Sequence, residues 1–310
     1  MSQIPGVTVV CVGEGLVVFV PDSAGSLAHA RTFTRSLAGA ELNTAIALAH
    51  AEISSGVITR LGDDGFGHFI VDELQRHGVA TDAVAYDDQA ATGLYIKELA
   101  VNGRGVDSRM HYYRAASAGS RLSHADIETP SAIRMLQSAR AVHTSGVTTA
   151  LSSTARELQL HLFDRDNPAV SREVIRSFSV HWRAALWHGR EQEGHEALAT
   201  LARRADLVLV SEEEMREVFE LNDPLALRSE LREPHYLLVS HRGGTTAFFG
   251  DDRADAPMVE HRFIESIGGS DAIAAGFLAG VLSGLSPAGS LARANRLASR
   301  VMASTHDHLE

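Results

Sequence analysis

The sequence predicts a doubly wound, mostly parallel α/β sheet with a small β-sheet lid. Three observations lead there. Short apolar runs alternate with amphipathic runs along most of the chain, glycine or serine closes many of the apolar runs, and two early segments break the alternation. Repeated strand-then-helix order implies right-handed crossovers and parallel pairing. Ligands in such sheets sit beyond the carboxyl ends of the strands, where Gly13, Gly62, Gly146, Ser211 and Gly243 are expected.

The elements follow in order. "VTVVCVG" reads as a strand, and "ELNTAIALAHA" has apolar residues at helical spacing. "SGVITRLG" is the next strand and "GFGHFIVDELQRHG" the next helix, stopped by Gly78. The scheme repeats as "ARAVHTSG" before "SSTARELQLHLF", "ADLVLVS" before "EEEMREVFEL", and "HYLLVS" before the glycine-rich "HRGG". The exceptions are "LVVFVPDSAGSLAHARTFTRSLAG" and "TGLYIKELAVNGRGVDSRMHYYRA", strand-like with turn-rich centres. The second predicts a hairpin turning at "VNGRGVD". Together they predict a lid over about residues 14–38 and 90–115, within one domain covering 1–310. A separate lid needs its apolar face covered, so a homodimer through the lid is expected.

Composition excludes several classes. A formal net charge of -11 argues against a nucleic-acid surface. Cys11 is the only cysteine, which rules out a disulfide framework or a cysteine zinc site. The start, "MSQIPGVTVVCVGEG", lacks a basic stretch before a signal-length apolar core, and no apolar run approaches the ~18 residues of a membrane span. A cytoplasmic protein is expected. Lys97 is the only lysine, so a GxxxxGK[ST] phosphate loop is impossible. Neither GxSxG nor HExxH occurs, and Gly13-x-Gly15 lacks the third glycine of a dinucleotide fingerprint. "HDH" at 306–308 reads as a frayed tail rather than a metal site.

The stretch "ESIGGSDAIAAGFLAG" sets two glycines, a serine and an aspartate ahead of an apolar helical run. Helix capping explains such residues. So does a site in which helix N–H groups hold a phosphate while the aspartate does chemistry.

Taken with "SLAGAELNTAIALAHAEISSGVITRLGDDGFGHFIVDELQRHGV", this stretch resembles the ribokinase-like, or PfkB, carbohydrate kinases. "TGLYIKE", "RMHYYRAASAGSRL" and "HWRAALW" resemble, more narrowly, the 2-keto-3-deoxygluconate kinases. The resemblance implies an ATP- and Mg2+-dependent kinase that phosphorylates a primary hydroxyl of a sugar acid. It implies Asp271 as general base and Gly268, Gly269 and Ser270 as an anion hole. Gly39, Asn43, Tyr95, Tyr112, Arg114 and Arg183 are implied to surround the substrate, the arginines binding its carboxylate. A guanidinium fork matches a carboxylate bidentately, as an ammonium does not. Without the resemblance, both tyrosines read as lid packing and both arginines as solvated. Ser211, Ser240, Gly243 and Asn295 are implied to bind the nucleotide, and Glu214 the metal.

The nucleotide side departs from the family pattern. Where members usually carry Gly-Ala-Gly-Asp the chain reads Gly268-Gly269-Ser270-Asp271, with Ser270 in place of the second glycine; Ser211 replaces the asparagine of Asn-x-x-Glu; and Thr246 stands where a glycine repeats. The Asp-x-Asn-x-Arg strand end has become "SVHWR", with Ser179 and His181, and the chain ends soon after "ANRLASRVMAS". Three readings follow: a sugar-acid kinase, a weak or inactive relative acting as a sugar-acid-binding or regulatory protein, and an unrelated α/β enzyme such as a dehydrogenase. The missing dinucleotide fingerprint ranks the last behind the others.

Overall fold

The computed structural model describes residues 6–102, 105–259, 267–304 and 307–309. Its first seven strands are β1 (Val9–Val12), β2 (Leu16–Pro21), β3 (Phe33–Ala38), β4 (Ser55–Gly62), β5 (Ala80–Asp87), β6 (Gly93–Asn102) and β7 (Gly105–Tyr113). The rest are β8 (Ala141–Ser145), β9 (Ile175–Ser179), β10 (Leu207–Ser211), β11 (Tyr236–His241), β12 (Gly244–Phe249) and β13 (Asp252–Pro257). They form a nine-stranded sheet, ordered β13-β12-β11-β10-β9-β8-β1-β4-β5, and a four-stranded sheet, ordered β3-β2-β6-β7.

In the large sheet every pairing from β5 to β11 is parallel, and β12 and β13 extend it antiparallel. The chain winds outward from β1 to β4 and β5, then returns to β8 on the other side. The crevice beyond the carboxyl ends of β1 and β8 is therefore the topological switch point. Side chains alternate across the sheet. Val10 and Val12 join one apolar layer and Val9 and Cys11 the other, so β1 is buried on both faces and reads as a continuous apolar run.

The four-stranded sheet is the expected lid, and its strands fall inside both anticipated segments. Residues 103–104 of the "VNGRGVD" turn lie outside the described residues; Asn102 pairs with Gly105 across them. Leu16, Val18, Val20, Ala38, Tyr95 and Leu99 make a lid cluster, while Val17 and Leu37 face the body's core. Asp64 ties the lid's entry to the body. One carboxylate oxygen accepts from Phe66 N and Gly67 N, capping helix Gly65–Arg76, and the other accepts from Thr92 N at 2.8 Å. The Gly-Asp-Asp-x-x-Gly segment is thus a structural clasp, and such a cap contributes about 1 kcal/mol.

Sequence patterning misses β5 and β13. "ATDAVAYD" and "DRADAP" lie at the two edges of the sheet and lack apolar runs. Among the described residues, no helix is long and apolar enough to cross a membrane.

Candidate active site

Helix Gly269–Leu282 is buried along nearly its whole length and packs against helices Ala40–His50 and Pro287–Val301. A helix apolar all round belongs in a core, so the aspartate at its start is carried inside. Its N-cap, Gly268, has φ +75° and offers no side-chain hydrogen bond. Asp64, Thr129, Ser152, Ser211 and Ser286 do cap their helices. Asp271 does not serve as a cap. Its Oδ2 accepts from Asn43 Nδ2 at 2.9 Å, on helix Ala40–His50.

The remaining polar atoms around Asp271 are buried without partners: its own Oδ1, Asn43 Oδ1 and both ring nitrogens of His181. Native proteins seldom leave such groups unsatisfied, and a cluster of them points to a site built for a ligand. Burial pushes the Asp271 carboxyl up to about 7, opposed by the Asn43 hydrogen bond, with Glu41 and Asp307 adding to the rise and Arg183 opposing it. A carboxyl so placed exchanges its proton near neutral pH.

Two residues before Asn43, Glu41 anchors the first turn of the same helix to the end of β8. Glu41 is buried, and its Oε1 accepts from Ser145 N, Ser145 Oγ and Thr148 Oγ1, each at 2.8 Å, at the carboxyl end of β8. Gly39 precedes this helix with φ +132°, its Cα against Glu14: a Cβ there would lie 2.3 Å from the Glu14 carbonyl oxygen. Only glycine fits both the conformation and the space.

On the lid, Tyr95 and Tyr112 are register partners with ring centroids 5.2 Å apart, and the Arg114 guanidinium lies 5.6 Å from the Tyr112 ring. Arg114 is not solvated: it is enclosed and ion-paired with buried Glu14, which also accepts from Ser117 Oγ. Arg183 differs. Its side chain is half-exposed, donates to the Trp182 carbonyl at 2.9 Å and stands 4.0 Å from Glu214 Oε1.

The tail corrects the reading of "HDH". His306 lies outside the described residues, but Asp307 and His308 are buried, not frayed. The Asp307 carboxylate pairs with Lys97 Nζ at 2.7 Å and accepts from the Tyr95 hydroxyl, while His308 Nε2 lies 3.2 Å from Ser36 Oγ on β3. A Cβ on Gly268 would fall 2.0 Å from the Asp307 carbonyl oxygen. The tail thus links the lid to the glycines ahead of Asp271. A polar terminal triplet gives no local sign of this, since its partners lie some 210 residues away.

On the nucleotide side, Asn295 and Thr246 are both engaged in bonds within the protein. Asn295 is fully enclosed: Nδ2 donates to the Ala256 and Pro257 carbonyls and Oδ1 accepts from Thr245 Oγ1. It ties β12 and β13 to helix Pro287–Val301 and offers no surface to a nucleotide. Thr246 likewise donates to Asp255 across the antiparallel pair at 2.6 Å. Ser211 and Glu214 form a capping box on helix Glu212–Phe219, and the two Glu214 oxygens accept from Ser211 N and Trp182 N. Ser240 lies half-buried beside Ser211, and Gly243 is exposed in the β11–β12 turn.

The pfkB family carbohydrate kinase profile matches residues 8–307. The chain belongs to that family. It is a carbohydrate kinase, a phosphotransferase with an alcohol group as acceptor. The kinase is 30% identical over 288 residues to a 2-dehydro-3-deoxygluconokinase of Thermoproteus tenax, covering 91% of this chain and 84% of that one. The solved structure of a 2-dehydro-3-deoxygluconokinase from Thermotoga maritima superposes with a TM-score of 0.88 at 20% identity, over 98% of this kinase and 95% of that chain. A fructokinase with bound ATP from Xylella fastidiosa superposes with a TM-score of 0.81 at 22% identity, over 96% and 92%. Both show that the kinase has the ribokinase-like fold.

Proposed function

We propose that the kinase transfers the γ-phosphoryl group of ATP to a primary hydroxyl of a sugar acid, 2-keto-3-deoxygluconate being the first candidate. The observation that carries the reading is Asp271: a buried carboxylate at the start of a helix, one oxygen on Asn43 and the other without a partner. A sugar hydroxyl within about 2.6–3.2 Å of that oxygen would lose its proton to it as attack proceeds, and a base with its pKa near the working pH suits this best. The N–H groups from Gly268 to Ser270, with the helix dipole, then face the charge gathering on the phosphoryl oxygens. Turnover is accordingly expected to rise with pH through about 7 as Asp271 ionises.

Mg2+ keeps several waters and takes few protein oxygens. Among the described residues no group of three acidic, histidine or cysteine side chains could cage a metal. Glu214 holds two backbone N–H groups, yet each of its oxygens keeps a lone pair for a metal-bound water. This donor set fits an ion carried mainly by nucleotide phosphates, with Glu214, and Ser211 beside it, at its edge. The ion would neutralise charge on the phosphoryl group. One domain of residues 1–310 and a homodimer through the lid, where Phe33 and Tyr113 are exposed, belong to the same reading; sedimentation is the check on the latter.

The sugar-acid preference rests on Arg114 and Arg183. Arg114 is oriented by Glu14 and its Nε is buried without a partner; Arg183 is half-exposed beside Glu214. Lysine at 114 keeps the charge and loses the fork. Calorimetry is expected to show parent binding to 2-keto-3-deoxygluconate, poor binding of fructose and ribose, and an affinity for the acid weakened about tenfold or more by Arg114→Lys, on the scale of one charge-assisted hydrogen bond. Tighter binding of fructose than of the acid would move the kinase to the neutral-sugar class. A second reading, a sugar-acid-binding protein with little turnover, is favoured by the enclosure of Asn295 and the capping role of Ser211.

A further inference from the structure

His181 follows the end of β9 and faces Asp271. Its Nε2 lies 3.6 Å from Asp271 Oδ1, both side chains are over nine-tenths buried, and neither of these atoms has a hydrogen-bond partner. The backbone is unusual here: His181 has φ +39°, a region that few non-glycine residues occupy. The following residue, Trp182, is fixed by its N–H on Glu214 at 3.1 Å, and Val180 N donates to the Leu209 carbonyl at 2.9 Å. The strained residue is thus held from both sides with its imidazole aimed into the site. A buried polar atom left unpaired is destabilising, and a small side-chain rotation would pair these two.

We propose that His181 is a positioning residue for phosphoryl transfer, donating its Nε2–H to Asp271 Oδ1 and steadying the charged carboxylate while Oδ2 stays on Asn43. The inference rests on Asp271 as the base. The imidazole remains neutral, since burial first, then Arg183 and His143, hold its pKa well below the usual histidine value. Asp271 is faced by Asn43 and Glu41 from helix Ala40–His50, Cys11 from β1, Arg183 from the loop after β9, and Asp307 from the tail. His181 adds to them a neutral ring whose Nε2 has no hydrogen-bond partner. A neutral donor lowers the cost of ionising a buried carboxylate without placing a second cation beside the substrate.

The test follows Asp271 ionisation in the full chain through its aspartate side-chain carboxyl carbon by 13C NMR, the resonance assigned by its absence from Asp271→Asn. His181→Phe keeps an enclosed ring but no donor, and is expected to raise the midpoint by about one pH unit, roughly a tenfold change in ionisation. The acid limb of kcat should move with it, while KM for the sugar acid stays within about twofold. His181→Asn restores a neutral donor and should return the midpoint to near the parental one. Imidazole 15N shifts of the parent at pH 8 should show the Nε2-protonated tautomer, which covers the case in which His181→Phe does not fold. An unmoved midpoint in His181→Phe, an equal shift in His181→Asn, or a proton on Nδ1 would overturn the proposal. Failure of the base reading looks different: Asp271→Asn would then turn over at the parental rate.

Discussion

Asp271→Asn is expected to reduce phosphoryl transfer by about 10²-fold or more, the loss typical of a removed general base, and to make the ligand-free protein more stable above pH 7. The two effects share a cause. Burial raises the folded carboxyl to about 7 from a reference of 3.8, so the unfolded chain releases its proton first. The stability contributed by the neutral carboxyl is present at low pH and is lost as pH rises through about 7. At 1.36 kcal/mol per pKa unit the ionised form costs on the order of 4 kcal/mol. Asparagine carries no such cost, so the variant's Tm should exceed the parent's by several degrees at pH 8 and converge with it near pH 4. His143, pushed down to about 4 by burial, titrates in both proteins and cancels from the comparison. Thermal scans across that range check the sign; parallel Tm profiles, or undiminished turnover, would remove Asp271 from its role.

Asp307→Ala is the second large effect. The Lys97–Asp307 pair is nearly inaccessible, with side chains 0% and 3% exposed. Removing one member of a buried ion pair costs about 3–5 kcal/mol, because the remaining charge loses that counterion while still desolvated. A lower Tm is expected, and the lid should loosen where Tyr95 and Lys97 meet the tail. Lys97 is the only lysine, so its ε-amine gives an unambiguous readout. Peptide mapping after treatment with an amine-reactive ester should find Lys97 protected in the parent and modified in Asp307→Ala. Equal protection with an unchanged Tm would show that the tail does not brace the lid.

The legible and illegible parts of the site divide by range. The lid was readable because "GLYIKELAVN" and "GVDSRMHYY" break the strand–helix rhythm locally, and Asp271 because glycines precede an apolar helix. Whether "GGSD" caps a helix or opens a site was not decidable from spacing. The bond to Asn43, 228 residues away, decides that Asp271 is not the cap. Asp307 looked like a frayed tail because burial there comes from the lid, and Asn295 looked like a ligand because a buried tie and an exposed contact use the same amide. His181 stood out as a departure from the family pattern, but its positive φ and its approach to Asp271 are visible only in three dimensions.

The measurement that bears most directly on sugar-acid phosphorylation is ADP release by the purified kinase, with ATP and Mg2+, across 2-keto-3-deoxygluconate, related sugar acids, fructose and ribose. Turnover on the sugar acid that exceeds turnover on either neutral sugar, and that Asp271→Asn removes, is the expected result. Release that is fastest with fructose or ribose would contradict the substrate assignment. No release with any acceptor, from a protein that still binds the sugar acid, would contradict catalysis itself and leave a binding protein built on a kinase fold.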